Sequence, residues 1–350
     1  MSKFSQHALV ELKSLLHSSA PIVITTHYNP DGDALGASLA WFQFLQNRGK
    51  NVSLIVPNDF PDFLAWMPGA DKALIFFHHR QQAERLLKEA KLIFCLDFNV
   101  FSRVELFTKE LAQATAAKVL IDHHPDPDST FDVTFSVKET SSTAELIFDL
   151  INELGSTQEI TQPIAECLYV GIMTDTGSFS YACNYPETYL AIACLVEQGV
   201  DCEAIHRLVY DTYAESRMRL LGFCLSERMV VLDEFATAYI WLSMDDLDRF
   251  NFKPGDTEGV VNYALSIKGI VFAALFTEKE DKVRISFRSK GDFKVNEFAK
   301  TLYNGGGHKN ASGGDAFLPL AETLKQFESV LSEYKTKLLE TSGQTAYRNN

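Results

Sequence analysis

Short, continuously apolar runs punctuate the first half of the chain: PIVITTH (21–27), NVSLIVP (51–57), ALIFF (73–77), KLIFCLD (91–97) and KVLIDH (118–123). Their length and their β-branched and aromatic content predict strands. Between them, ALGASLAWFQFLQNRG (34–49) spaces its apolar residues as a helix does and ends on Gly49. HRQQAERLLKEA (79–90) predicts a second helix with its charges on one face. Strands apolar on both sides cannot face water. Alternating with helices, they predict a mostly parallel sheet covered on both faces, a doubly wound α/β domain.

After TFDVTFSV (130–137) the pattern turns helical, from SSTAELIFDLINELG (141–155) to about residue 228, with Glu215, Arg217, Arg219 and Glu227 spread along the last helix. Strand patterns return at MVVLDEFATAYIWLS (229–243), IVFAALFTE (270–278) and KVRISFRS (282–289), followed by helical segments at 294–303 and 320–339. The expected organisation is a doubly wound α/β domain over 1–200, a helical linker over 201–228 and a smaller α+β domain over 229–340. A polar tail over 341–350 is expected to fray.

A length of 350 residues exceeds what one small core serves, in keeping with two domains. No apolar stretch approaches the roughly 18–20 residues needed to cross a bilayer. The N-terminus, MSKFSQHALVELKSLL, reads as an amphipathic helix without the apolar core of a signal peptide. These features lead to the expectation of a cytoplasmic protein with no membrane partner. The six cysteines form no Cys-x-x-Cys pair and fall mostly in apolar runs, so reduced, buried thiols are expected. With 46 acidic against 32 basic residues, the net charge is −14. That excludes a protein that grips long duplex nucleic acid through a broad basic face. It leaves room for a short anionic substrate at a locally cationic site, and bound cations would offset part of the acidity.

The unusual residues fall at strand ends. His27 closes one predicted strand, Asp97 a second, and Asp122-His123-His124 a third. Ligands of open α/β sheets bind beyond the carboxyl ends of the strands, so three strands deliver metal-type side chains to one edge. The loop after His27 carries Asp31 and Asp33 on either side of Gly32, whose freedom lets the two carboxylates face different ions. The bland alternative, an Asn-Pro-Asp-Gly turn with Asp33 as N-cap, leaves the neighbouring His27 and the other acidic strand ends unexplained. Asp175 closes the apolar helix IAECLYVGIMTD, where the helix dipole disfavours an acid unless a cation compensates. Ser141-Ser142-Thr143 reads as a simple helix cap.

In order and spacing, His27-x-x-x-Asp31-x-Asp33, Asp97, Asp122-His123-His124 and Thr174-Asp175 resemble the four motifs of the DHH phosphoesterase superfamily. GGGHKNASGG (305–314) resembles the glycine-rich signature of the DHH-associated domain. With no room for further domains, the chain resembles the nano-RNase (oligoribonuclease) and 3′-phosphoadenosine 5′-phosphate phosphatase branch. The resemblance implies that His27 and Asp31 bind one ion, Asp33, His123 and Asp175 another, and Asp97 both. Mixed imidazole and carboxylate ligation suits two Mn²⁺, with Mg²⁺ or Co²⁺ as alternatives. His124 is then a catalytic contact to phosphoryl oxygens, and Asp122 orients a histidine.

The second domain is expected to recognise substrate. Arg288 and Ser289 end a strand, and Gly306, Gly307, His308 and Lys309 offer backbone and side-chain donors to an anion. A small pocket lined by Arg288 and His308 suits the end of a nucleotide. The implied activity is metal-dependent hydrolysis of very short single-stranded RNA to nucleoside monophosphates, extending to 3′-phosphoadenosine 5′-phosphate. The implied partners are short RNA or small nucleotides and a second copy of the chain. Rival readings are a phosphodiesterase for cyclic or linear dinucleotides, and a nucleotide-binding protein with an inactive centre.

Overall fold

Each apolar run of the first half forms a strand, and the helical segments between them return the chain to the start of the next. The computed structural model describes residues 3–17 and 20–347, with side chains as far as 343. In chain order the first part holds α1 (Gln6–His17), β1 (Ile22–Thr25), α2 (Gly32–Asn47), β2 (Val52–Val56), β3 (Leu74–Ile75), α3 (Arg80–Glu89), β4 (Leu92–Leu96), α4 (Thr108–Gln113), β5 (Ala117–Asp122), β6 (Val133–Ser136), α5 (Thr143–Glu153), α6 (Gln162–Asp175), α7 (Pro186–Glu197) and α8 (Cys202–Tyr210). The six strands run parallel in the order β3-β2-β1-β4-β5-β6. This is the doubly wound order, whose direction of winding reverses between β1 and β4. Thr25 stands beside Cys95, and Cys95 beside Leu120, so the carboxyl ends of β1, β4 and β5 finish in step.

Successive side chains on each strand feed opposite cores. Ile22, Ile24, Phe94 and Leu96 pack with residues of α2, α5 and α6, while Val23, Ile93, Cys95 and Leu120 pack with residues of α3 and α4. Two glycines bring α2 and α6 to backbone contact. A Cβ on Gly36 would lie 2.5 Å from the Cys167 carbonyl oxygen, and one on Gly171 would lie 2.4 Å from Cβ of Ala144 in α5. Such distances admit no side chain, so these helices meet as closely as their backbones allow.

The second part holds α9 (Glu215–Glu227), β7 (Met229–Leu232), β8 (Thr237–Leu242), α10 (Met244–Arg249), α11 (Val260–Ser266), β9 (Phe272–Glu278), β10 (Val283–Ser289), α12 (Val295–Leu302), β11 (Gly306–His308), β12 (Ala311–Ala316) and α13 (Leu320–Tyr347). Its sheet has the order β11-β12-β10-β9-β8-β7, antiparallel except for β8 beside β9. Phe272, Phe276, Ile285 and Phe287 bury one face against residues of α12 and α13. On the other face, Ala273 and Leu275 pack with Leu220, Leu247, Val260 and Ala264, from α9, α10 and α11. No helix among the described residues is long and apolar enough to cross a membrane, and all six cysteines are unpaired thiols.

Four expectations change. The helical linker over 201–228 is two helices with different allegiances. Ile205 and Val209 of α8 join the first core, Leu220 and Cys224 of α9 join the second, and the two compact units divide between Thr212 and Tyr213. An amphipathic helix buries its stripe in the nearest core, and a span carrying two such stripes is no free connector. The run 229–243 is two antiparallel strands, turned by a short 3₁₀ segment and Ala236 at φ +48°. The glycine-rich stretch 305–314, absent from the expected strands, forms β11 and most of β12, where Gly305 lies against the Gly313 carbonyl. The helix continues through 341–343, where fraying was expected, because Leu338 and Thr341 are buried and the Thr341 hydroxyl donates to the Lys337 carbonyl. Residues 348–350 lie outside the described part.

Candidate metal centre

Where the sheet order reverses, the carboxyl ends of β1, β4 and β5 gather six side chains. His27 follows β1 and is 6% exposed. Its Nδ1 donates to the Tyr28 carbonyl at 2.9 Å, which orients the ring so that Nε2 lies 3.3 Å from Asp97 Oδ2. Asp97 follows β4 in the left-handed conformation, φ +63°, a strained setting for a residue with a side chain, and is 2% exposed. His123 follows β5. Its Nε2 lies 3.5 Å from Asp97 Oδ1, 3.6 Å from Asp175 Oδ2 and 3.9 Å from Asp33 Oδ2.

Two triads emerge from these distances. His27, Asp31 and Asp97 each offer a ligand atom within 4.8 Å of the others', and so do Asp33, His123 and Asp175. Asp31 caps α2, its Oδ1 accepting from the backbone N–H groups of Asp33 (3.1 Å) and Ala34 (3.0 Å). Asp175 arrives on the last turn of α6. Its place there depends on Gly32, where a Cβ would meet the Thr174 hydroxyl at 2.3 Å. Gly32 is therefore demanded by close approach to α6; it is the first residue of α2, and the turn conformation expected for it does not occur.

The electrostatics call for cations. Burial pushes Asp33 well above the usual carboxylate range, and the Asp97, Asp175 and Asp31 carboxylates add to that push. Burial acts the same way on Asp97, but its hydrogen bond to His27 and the nearby His124 and His123 rings reverse the sign and hold it below the usual range. Burial opposes a charged ring at both His27 and His123. Asp97 and Asp31 raise His27 nonetheless, and Asp175 and Asp97 raise His123. A buried cluster with this excess of carboxylates requires protons or metal ions, and its mixture of imidazole nitrogen and carboxylate oxygen fits a divalent transition metal or Mg²⁺.

His124 points its Nδ1 at Asp122 Oδ1, 2.7 Å away, and lies 3.7 Å from Asp97 Oδ1. Asp122 is fully buried, so its bond to His124 sets that ring's orientation, and Asp97, Asp122 and His124 make a third close group. The sequence reading missed what lies behind the carboxylates. Thr143 at the start of α5 is fully buried; its hydroxyl donates to Asp97 Oδ1 at 2.9 Å and its N–H to Asp33 Oδ2 at 2.7 Å. The Ala144 N–H donates to Asp33 Oδ1 at 2.8 Å. The N-terminus of α5 thus grips two site carboxylates from residues 46 and 110 positions away. Ser142, as expected, caps this helix through Glu145 N–H. Nothing in the Ser-Ser-Thr pattern separates a cap from a cap that also carries a site.

The residues assigned to substrate stand in the second unit. Pairing sets His308, Ala311 and Arg288 opposite one another across β11, β12 and β10, so the three side chains share one face. The Arg288 Nη1 donates to the Phe287 carbonyl at 2.9 Å. Ser289 points to the other face, as strand alternation requires. Its hydroxyl is buried, donating to the Phe293 carbonyl (2.6 Å) and accepting from the Asn310 amide (2.8 Å), so it braces the following loop and does not stand beside Arg288. Lys309 pairs with Asp292 at 2.8 Å. Gly306 is open on its Cβ side, whereas a Cβ on Gly307, at φ +136°, would lie 2.7 Å from the Ala311 carbonyl.

Residues 21–172 match the DHH family, N-terminal domain, and residues 233–337 match the DHHA1 domain. The chain is 30% identical over 319 residues to the bifunctional oligoribonuclease and PAP phosphatase NrnA of Thermus thermophilus, covering 91% of this chain and 90% of that one. The Bacillus subtilis protein of the same name is 26% identical over 299 residues, covering 85% and 89%. A crystal structure of an exopolyphosphatase-related protein from Bacteroides fragilis superposes with a TM-score of 0.91 at 42% identity, covering 95% of this chain and 98% of that one.

Proposed function

The chain belongs to the DHH family of phosphoesterases, and from that membership we propose that it is a divalent-metal-dependent phosphodiesterase that cuts very short single-stranded oligoribonucleotides to nucleoside monophosphates and also dephosphorylates 3′-phosphoadenosine 5′-phosphate. The observation that carries the reading is the pair of triads at the switch of the first sheet, each of two carboxylates and one imidazole, which meet where Asp97 Oδ1 of one lies 3.5 Å from His123 Nε2 of the other. In this reading His27 and Asp31 would hold one ion, Asp33, His123 and Asp175 the other, and Asp97 would contribute to both. Two Mn²⁺ suit the donors, with Mg²⁺ or Co²⁺ as alternatives. When bound, such a pair polarises a phosphoryl oxygen and supplies a hydroxide nucleophile at neutral pH.

The chain's own residues do the rest. His124, its ring oriented by the Asp122 carboxylate at Nδ1, presents the other edge of its ring to a phosphoryl oxygen. Arg288 matches phosphate with its planar fork, and His308, Lys309 and the backbone of Gly306 and Gly307 add donors. Ser289 keeps the loop behind Arg288 in shape. The names of the relatives, oligoribonuclease and PAP phosphatase, support the choice of substrates. We include a second copy of the chain among the partners.

The test is Mn²⁺-dependent release of mononucleotide from an end-labelled ribodinucleotide. Asp97→Ala is expected to reduce turnover by on the order of 10³-fold, about 4 kcal/mol of barrier. Turnover that survives the substitution, or that proceeds equally well in excess EDTA, would remove the metal-centre reading.

A further inference from the structure

One face of the second sheet is only half covered. On β9 this face carries Ala273 and Leu275, which are buried against residues of α11. Directly opposite them on β10 stand Arg288 and Ser286, and beyond Ser286 comes Arg284, all three partly or well exposed. The same face continues on β12 as Ala311, Gly313 and Asp315, and on β11 as His308 and Gly306. Three rows of residues therefore lie side by side: His308–Ala311–Arg288, then Gly306–Gly313–Ser286, then Asp315–Arg284. Arg288 and Arg284 place two guanidiniums on this half of the face and Asp315 a carboxylate, in a chain whose net charge is −14.

Arg284 does not point away from the row of Arg288. Its Nη2 lies 3.8 Å from where a Cβ on Gly313 would be, so the guanidinium leans over the middle row, beside Ser286. Its Nη1 is 3.5 Å from Asp315 Oδ1, and Lys282 reaches the other oxygen of the same carboxylate at 3.1 Å. A separation of 3.5 Å on an exposed side chain is a loose contact that an incoming anion can displace. One row is two residues of strand, about 6.7 Å. A single strand carries a phosphate roughly every 3.4 Å of its axis when stacked, and more widely when drawn out. A phosphate one or two positions along from one held by Arg288 falls within reach of Arg284.

We propose that Arg284 holds a second phosphate of a short single-stranded ribonucleotide, so that the open half of this face is a track that sets how strongly substrate length is rewarded. The proposal rests on the reading of Arg288 as a phosphate-binding residue of an oligoribonuclease. Ser286 and the side-chain-free positions Gly306 and Gly313 leave the middle row open for the sugar between the two phosphates. Asp315 is the competing anion, and it tunes the distal grip by holding Arg284 when no phosphate is there.

The experiment measures kcat/KM for a series of ribonucleotides carrying one to four phosphates, with Mn²⁺, in wild type, Arg284→Ala and Asp315→Asn. Wild type is expected to gain at the step that brings a phosphate to Arg284. Arg284→Ala shrinks that one step roughly fivefold, the size of one exposed cation–phosphate contact, and makes the slope of log affinity against log salt shallower by about 0.7 for the longest substrate. Asp315→Asn enlarges the same step. A series with the same shape in all three proteins, including one that falls uniformly in Arg284→Ala, overturns the proposal. Fluorescence anisotropy of the same ribonucleotides in EDTA reads the steps without turnover. If wild type cuts none of them, the oligoribonuclease reading fails, while the binding series still decides for or against Arg284.

Discussion

Replacing Thr143 by valine tests whether the start of α5 builds the metal centre or merely abuts it. The substitution keeps the shape and β-branching of a fully buried side chain and removes one atom's function, the hydroxyl that donates to Asp97 Oδ1 at 2.9 Å. The backbone bond from residue 143 to Asp33 is unaffected. A hydrogen bond to a charged group contributes about 1.5–3 kcal/mol. At about 1.4 kcal/mol per tenfold, that corresponds to roughly 10- to 150-fold in affinity if the whole loss falls on metal binding. The range agrees with the 10- to 100-fold typical of residues that orient metal ligands. The other neighbours of Asp97 Oδ1, His123 Nε2 at 3.5 Å and His124 Nδ1 at 3.7 Å, are too distant to replace the lost bond. Calorimetric titration with Mn²⁺ is the assay, and the Mn²⁺ electron paramagnetic resonance spectrum reports the altered ligand field. Thr143→Ser restores the hydroxyl and is expected to recover most of the affinity. Equal Mn²⁺ affinity in wild type and Thr143→Val, within twofold, would refute the argument.

Other substitutions follow from the same structure. Arg288→Ala is expected to raise KM for a ribodinucleotide by about tenfold with kcat changed far less, because one charged phosphate contact is lost from ground and transition states alike; an unchanged KM would remove Arg288 from the site. Glu145 is fully buried and accepts from Ser141 and Thr188 at 2.6 Å each and from Lys3 at 2.5 Å. Burial raises its pKa, but these partners outweigh burial and bring it below its ordinary value. Its contribution to stability is therefore complete at neutral pH and is lost as pH falls through that lowered value. Lys3→Met should lower Tm at pH 7, at a cost of about 1–3 kcal/mol, and should flatten the drop in Tm on acidification. A parallel shift at every pH would show that Lys3 does not act through Glu145. Gly36→Ala should cost about 1–3 kcal/mol in urea denaturation, because its methyl would meet the Cys167 carbonyl at 2.5 Å. Gly306→Ala, which meets nothing, should stay within about 0.5 kcal/mol.

The first sheet was legible because buried parallel strands advertise themselves: LIFCL and VLID can be little else, and the residues just past them had to share an edge. Five of the six metal-type residues could be placed that way, or by their position in the loop that follows β1. Asp175 needed the oddity of an acid at the end of an apolar helix. The grip of α5 on Asp33 and Asp97 was invisible because it joins residues far apart in sequence through a helix end, and Ser-Ser-Thr would look the same with no site above it. In the second unit, β11 and β12 escaped notice because Gly306, Gly307, Gly313 and Gly314 have no side chains to alternate. The strand exists for its backbone pairing, with Tyr303 filling the space over Gly314. Ser289 was misjudged by treating neighbours in sequence as neighbours on a surface, which a strand forbids.

The division between Thr212 and Tyr213 has a consequence for synthesis. Every side chain of the two triads, and Thr143 behind them, lies between residues 27 and 175, within the first unit. A ribosome adding roughly 5–20 residues per second needs about 4–14 s to travel from Thr212 to Arg284. Throughout that interval the nascent protein owns its complete set of metal-type side chains and none of the strands that carry Arg284, Arg288 and His308. The donor set proposed for cations is thus complete before the residues proposed for substrate exist.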